Sequence, residues 1–424
     1  MEPATQPSGG VTPTTIFIAA TAAFLVPYAL LFITPTFFSR PTMLIDPPVP
    51  WATPVASDLK VVIDCAHLWL SGGSPYSGDF LYPPLSTLLF AFWALIGFQA
   101  AHVVLVLATV GLFIGLLVGL ARFLAPERGI SPLTALFLFA SLSSYGLQFE
   151  FERGQFNVLA MGLSVCGVWL FHARPRWKLL AYGLFSAGIH LKLYPAILGL
   201  LLTYDYRDTI GNLRRAGWLA FINVLLLFAT GPKMFADFIV ALDELAFKFG
   251  GWSLNHSIYS FALFATNTLG RHYPMPAGTE GIIATAMLIY LLTCIGVVLT
   301  MNWRDRQFGL DPYLLLACTI GAMTIPPISY DYKLAILPPA VALAALEFER
   351  SSAMRRHPQA AGLAVLMIMV AAFSITLYSY QLKPTLLDNS CPELLVIVGC
   401  VAVLAVMRST ARHALIAAHP AKLG

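Results

Sequence analysis

The stretch "AHVVLVLATVGLFIGLLVGLARFL" at residues 101–124 decides the fold class. From residue 101 it meets no Asp, Glu, Lys or Arg until Arg122, and roughly 20 apolar residues are what a helix needs to cross the hydrocarbon core of a bilayer. The same signal recurs at about 14–34, 82–98, 132–147, 156–172, 179–203, 216–231, 281–301, 312–328, 334–347, 360–380 and 392–407. The 424 residues are 58% hydrophobic and only 11% charged, with a mean hydropathy of +0.76, far more apolar than a water-soluble fold of this size requires. The chain reads as an all-α polytopic membrane protein with about 11–12 transmembrane helices. Residues 1–424 form a single integral membrane domain, with a first outer loop at 35–81, a short surface helix at 58–71 inside it, and a second outer loop at 232–280.

The net charge of +4 is modest and the Lys and Arg residues sit in short interhelical loops, which speaks against a nucleic-acid partner. The six cysteines have neither CxxC nor Cys/His ligand spacing, so neither a zinc site nor a disulfide framework is expected. The N-terminal "MEPATQPSGGVTPTT" has no basic residue, so the first helix is expected to stay as an anchor. There is no heptad, solenoid period or internal repeat, which counts against a transporter built from duplicated halves.

Cytoplasmic loops of membrane proteins retain Lys and Arg. Alternating the spans from an inside N-terminus satisfies this rule from the sixth helix onward, but leaves Arg122/Arg128 and Arg174/Arg176/Lys178 outside. Both failures vanish if 82–98, opening on Pro83-Pro84, does not cross fully and 179–203 breaks at Tyr194-Pro195, because proline cannot continue the hydrogen-bonding ladder. "FEFERGQFN" (149–157) and "HLKLYP" (190–195) then share the outer side with the opening loop.

In so uncharged a chain, each ionisable group at membrane depth costs a few kcal/mol and needs a reason. Residues 58–71 read as a surface helix with Ser57 as N-cap and Gly72-Gly73 as its end. On it Lys60, Asp64, His67 and Ser71 share a polar stripe, while Asp58 falls with Val62, Cys65 and Trp69 on the apolar one. Asp64 is solvated; Asp58 either complements the helix dipole or meets something other than water. "FERGQFN" gathers Glu152, Arg153, Gln155 and Asn157 around Gly154, which permits close backbone approach, and reads as helix capping or as a clamp for hydroxyls or a phosphate. In "HLKLYP", Lys192 is most simply a phosphate partner, and His190 a core histidine or a site residue. "GGWSLNHSIYS" (250–260) offers Trp252, Asn255, His256 and Ser257 for sugar or head-group hydroxyls, or is an ordinary outer loop. "PPISYDYKLAILPP" (326–339) places Asp331 and Lys333 between prolines, as a cavity wall or a mutually neutralising pair.

Taken in order, "SDL" (57–59), "GGSPY" (72–76), "YPPL" (82–85), "GQFN" (154–157), "KLYP" (192–195), "NHS" (255–257) and "SYDYKL" (329–334) resemble glycosyltransferase family 87, polyprenol-phosphate-mannose-dependent mannosyltransferases of the GT-C-type fold. The resemblance implies transfer of a hexose, most simply mannose, from a polyprenyl-phosphate sugar donor to a hydroxyl of a lipid or glycolipid, at the outer face of a bacterial plasma membrane. It places Asp58 at the family's catalytic base. Inversion at the anomeric carbon needs such a base opposite the leaving phosphate, and cations to stabilise that phosphate: Lys192, Arg153 and Lys333. Glu152, Gln155, Asn157, His190, Asn255, Ser257 and Asp331 are the candidates for sugar or acceptor hydroxyls. No metal cofactor is expected, since side chains supply the positive charge and the first loop holds no DxD. The late segment departs from the family pattern: Asp331 and Lys333 stand where a histidine is expected. The competing readings are a flippase or transporter of lipid-linked glycans, and a scaffold of envelope assembly, which leaves Lys192 and Asp331 without a purpose.

Overall fold

A computed structural model describes residues 55–78, 80–124, 141–142, 144–248, 254–305, 309–350 and 389–418. The spans expected at 14–34 and 360–380, and most of that at 132–147, lie outside these residues, as does Trp252. The described elements are helical, with one isolated antiparallel bridge between Asn255 and Tyr330. The α-helices are α1 (Ser57–Leu70), α2 (Ser86–Ile96), α3 (Phe98–Leu124), α4 (Tyr145–Arg153), α5 (Asn157–Ala173), α6 (Lys178–Leu191), α7 (Thr209–Leu227), α8 (Pro232–Lys248), α9 (Ile258–Gly270), α10 (Thr279–Arg304), α11 (Pro312–Thr324), α12 (Leu337–Arg350) and α13 (Cys391–Ala418).

Three helices among the described residues are long and apolar enough to cross a bilayer: Phe98–Leu120, Thr279–Arg304 and Cys391–Ala414. Two bent pairs, α4 with α5 at 114° and α7 with α8 at 99°, raise that number to five if each pair is one span. The protein is an all-α, multi-pass membrane protein. The expected outer loop at 232–280 contains two helices, α8 and α9.

Several apolar runs that read as full spans are short or broken. The run at 82–98 yields only the 11 residues of α2, about 16 Å at 1.5 Å per residue, half of the ~30 Å hydrocarbon core. The run at 179–203 is helical to Leu191, turns extended at Lys192 (φ −151°, ψ 132°) and resumes as a 3₁₀ helix over Tyr194–Leu201 with Pro195 in its first turn. The break therefore falls two residues before the expected Tyr194-Pro195: Pro195 has no N–H for the carbonyl four residues back, that of Leu191, where α6 ends.

Most of the helices share one core, in which α3, α5, α6, α10, α11, α12 and α13 bury Leu, Val, Phe and Ala side chains. The α5/α6 pair approaches closely because small residues line it. A methyl group on Gly167 would lie 2.6 Å from the Ala181 carbonyl oxygen, and one on Gly188 would lie 2.4 Å from that of Ala160, the small-residue packing typical of membrane helices. A second, aromatic cluster lies beneath α1: Phe80, Tyr82, Phe90, Trp93 and Phe156 meet ring to ring at 4.9–6.1 Å and support Leu59, Val62 and Ile63 from below. Such ring pairs add about 0.5–1.5 kcal/mol each beyond their burial.

The surface helix carries the stripes that its sequence implies. Lys60, Asp64, His67 and Ser71 are exposed, and Leu59, Val62, Ile63, Cys65 and Ala66 are buried. Its N-terminus is a correction. Ser57 is the first helical residue, and the cap is Ala56, in the left-handed region (φ 62°) without a side-chain cap. The reason is tertiary: Ala56 is buried and donates its N–H to the Glu152 carbonyl oxygen at 2.6 Å. That docking sets the entry of α1, at a backbone cost of about 1–2 kcal/mol for a non-glycine residue in this region.

Candidate active site

Two chain segments almost 100 residues apart meet at the start of α1. Gly154 ends α4 in the left-handed conformation (φ 67°), and the turn through Gln155 and Phe156 starts α5. A Cβ on Gly154 would lie 2.8 Å from the Cβ atoms of both Ala56 and Leu59, so only glycine lets α1 settle here. We predict that Gly154→Ala lifts α1 off this turn, lowering the thermal midpoint of the purified protein and cutting activity at least about tenfold, the combined result of overlap and an unfavourable φ. A variant as stable and active as wild type would show that the α1 contact is dispensable.

The seating places Asp58 beside the Arg153–Gln155 turn. Gln155 Nε2 donates to Asp58 Oδ2 at 2.5 Å, Ser57 Oγ donates to Asp58 Oδ1 at 3.2 Å, and Arg153 Nη1 lies 3.9 Å from the same Oδ1. A carboxylate has about four lone-pair sites, so capacity remains on the face that lines the cavity. Asp58 meets an arginine and an amide and keeps 33% of its side chain exposed toward the cavity. Asp64 instead pairs with Lys60 at 2.6 Å, both exposed, an arrangement generally worth at most about 1 kcal/mol.

Lys192 reaches the same turn from the break after α6. Its Nζ donates to Gln155 Oε1 at 3.1 Å and lies 4.1 Å from the centre of the Tyr82 ring, a cation–π contact. Lys192 is the C-cap of α6, where the carbonyl ends of the helix favour a cation. Behind the turn, buried Glu150 accepts from Asn157 Nδ2 at 2.8 Å and from Val158 N at 3.0 Å, capping α5, while Tyr194 donates its hydroxyl to Asn157 Oδ1 at 3.0 Å.

The third side is the segment 326–333. Lys333 donates to the Ile328 carbonyl oxygen and stands 4.8 Å over the Tyr194 ring. Buried Asp331 and His256 are 2.6 Å apart (Oδ1 to Nε2), and Ser390 N donates to His256 Nδ1 at 3.0 Å. Since Nδ1 accepts that amide proton, Nε2 carries the ring proton and donates to Asp331. Asn255 and Ser257 are buried and fasten this wall. Asn255 Nδ2 and Ser257 Oγ both donate to the Pro327 carbonyl oxygen, at 2.8 and 3.1 Å, and Ser329 N donates to Asn255 Oδ1 at 2.7 Å.

These segments enclose a cavity of about 770 Å³ lined by Asp58, Arg153, Gln155, Lys192, Asp331 and Lys333 among the charged and polar groups. Tyr82, Tyr194, Tyr330 and Tyr332 join them, with an apolar side of Val61, Val62, Leu81, Leu193, Leu242 and Leu254. Of the residues singled out in the sequence, those six come together on the cavity. Glu152, Asn157, His190, Asn255 and Ser257 are not among its lining residues. Glu152 lies behind Arg153 (Oε2 to Nε 3.3 Å), and His190 is buried in the last turn of α6. The four tyrosines and Glu150 were not singled out as site residues, and Asp331 was expected against Lys333 or a ligand rather than paired with His256. "FEFER" gives Glu150 no distinguishing spacing, and tyrosines at the ends of apolar runs read equally well as interface anchors.

A cavity with two carboxylates, three basic side chains and an apolar part to its lining suits a charged head group with a lipid tail. The family model for glycosyltransferase family 87 matches residues 80–329, more than half of the chain. The chain belongs to glycosyltransferase family 87. No curated protein matches it significantly. This family 87 member is therefore a membrane glycosyltransferase, and the matched region spans Gln155, Lys192 and the NHS segment, while α1 with Asp58 precedes it and Asp331 and Lys333 follow it.

Proposed function

We propose that this glycosyltransferase moves a mannosyl residue from a polyprenyl-phosphate donor to a hydroxyl of a lipid or glycolipid acceptor at the outer face of a bacterial plasma membrane, with inversion. Asp58 is the general base: its carboxylate takes the proton of the acceptor hydroxyl as that oxygen bonds to the anomeric carbon. The bond from that carbon to the phosphate oxygen breaks on the opposite face, and the polyprenyl phosphate departs with the electron pair. Lys192, with Arg153 and Lys333, stabilises the charge developing on the phosphate, a role that needs preorganised cations out of bulk water. Side chains supply that charge, and no metal is invoked.

The observation that carries this reading is the placement of Asp58 and Lys192 on the two ends of one Gln155 amide. A base and a phosphate cation are thereby held on one side chain, facing one cavity of about 770 Å³ whose lining includes apolar residues suited to a lipid chain. Asp331, held by His256, and the four tyrosines offer hydroxyls and a carboxylate to the sugar or acceptor.

The test is transfer of label from polyprenyl-phosphate [¹⁴C]mannose into the organic-soluble lipids of membranes containing the protein. Labelled lipid that depends on the protein is the expected result. Absence of any new labelled lipid, with polyprenyl-phosphate glucose serving instead, would overturn mannose and leave the rest of the mechanism standing.

A further inference from the structure

Gln155 is 4% exposed, and its three polar contacts are chemically consistent in one orientation. Lys192 Nζ and the Tyr82 hydroxyl reach the same amide atom, at 3.1 and 3.4 Å. An ammonium donates and has no lone pair, so the atom facing it is the oxygen, and the amide N–H₂ must face Asp58. This resolves the usual ambiguity of an amide side chain by chemistry rather than by fit. The turn that holds Gln155 is rigid: Gln155 N donates to the Glu150 carbonyl oxygen at 2.9 Å, while the Glu150 carboxylate caps the helix that follows.

We infer that Gln155 is a positioning residue with two separable tasks, an inference that rests on the roles proposed above for Asp58 and Lys192. Its Nε2–H holds Asp58 Oδ2, so that Oδ1, which accepts from Ser57 Oγ with one lone pair, keeps the other for the acceptor hydroxyl. Its Oε1 holds the Lys192 ammonium in place until a donor phosphate arrives and takes over that contact. Gln155 touches no reacting atom; it acts through the two groups that do. An anionic oxygen at this position grips Lys192 harder than an amide oxygen does, since charge-assisted bonds are about twice as strong, and so competes with the phosphate. An apolar side chain releases Lys192 but leaves Asp58 unaimed.

The two tasks separate in two variants of the full-length protein in detergent, read by titration with farnesyl phosphate and by the labelled-lipid assay. Gln155→Met, which keeps the length and loses the polar atoms, is expected to bind farnesyl phosphate at least as tightly as wild type and to transfer sugar about 30-fold or more slowly. Gln155→Glu is expected to lose turnover and also to bind farnesyl phosphate about tenfold more weakly. If Gln155→Met keeps wild-type turnover, the aiming of Asp58 is wrong. If both variants weaken binding equally, Gln155 is merely structural and the hold on Lys192 is wrong. Should Gln155→Met fail to fold, Gln155→Asn, one methylene too short to span both partners, takes its place with the same expected pattern. Lys192→Met separates this inference from the one beneath it: undiminished farnesyl phosphate binding overturns the phosphate assignment itself. Lost binding in Lys192→Met, without the Met/Glu contrast at 155, overturns only the role of Gln155.

Discussion

Asp58→Asn is expected to lower sugar transfer by about two to four powers of ten, the usual contribution of a general base, while the protein inserts and melts as wild type does. The substitution is isosteric, and an asparagine oxygen still accepts the Gln155 amide proton, so the seat of α1 on the Gly154 turn is preserved. What disappears is the ability to take a proton from the acceptor hydroxyl. Asp64→Asn is the matched control six residues away on the same helix. It breaks only the exposed pair with Lys60, so its activity stays within about twofold of wild type, as expected for a surface pair. Full activity in Asp58→Asn would remove the base from the mechanism, whatever the fate of the cations.

Lys192→Met is expected to cost about 10²–10³ in turnover, comparable with the loss of one preorganised donor to a developing anion, and to weaken donor binding as well. Two features make the effect large. The ammonium donates to Gln155 Oε1 and stands over the Tyr82 ring, where an amide oxygen and a ring face both favour a cation. Lys192→Arg keeps the charge but replaces a compact ammonium by a planar fork that does not fit between Tyr82 and Gln155, so it recovers only a small part of the loss. Equal activity in Lys192→Arg and wild type would mean that charge alone matters and that the Gln155 contact is incidental.

The fold class was legible because a membrane chain announces itself in long runs such as 101–124. The interrupted runs were less so. Pro83-Pro84 and Tyr194-Pro195 marked where 82–98 and 179–203 fall short, since proline acts locally, but the exact break at Lys192 depends on what that lysine meets. Asp58 and Asp64 could be separated by helical projection alone, because burial follows the 3.6-residue period. Ser57 could not be assigned correctly, because the capping preference of serine yielded to a backbone contact with Glu152, almost a hundred residues away. The cost of charge in a bilayer singled out Arg153, Lys192, Asp331 and Lys333 one by one, and bringing segments 149–157 and 190–195 to the side of the opening loop took the proline breaks. Asn255 and Ser257 illustrate the opposite limit: polar side chains in a broken hydrophobic run read alike whether they face a ligand or fasten one loop to another, and here they fasten. The tyrosines carry no signal of their own until the walls are assembled.

The bond from Ala56 N to the Glu152 carbonyl oxygen has a consequence for how such an enzyme diversifies. It ties the helix that carries Asp58 to the turn whose Gln155 contacts Lys192, so the proposed base and the proposed phosphate cation share one floor. Part of the greasy lining comes from elsewhere: Leu242 from α8, Leu254 from the loop before α9, and Leu81 from the segment ahead of α2. On the proposed mechanism, exchanging those three residues alters which lipid fits without touching Asp58 or Lys192, and a change of acceptor is open to a few substitutions on other chain segments.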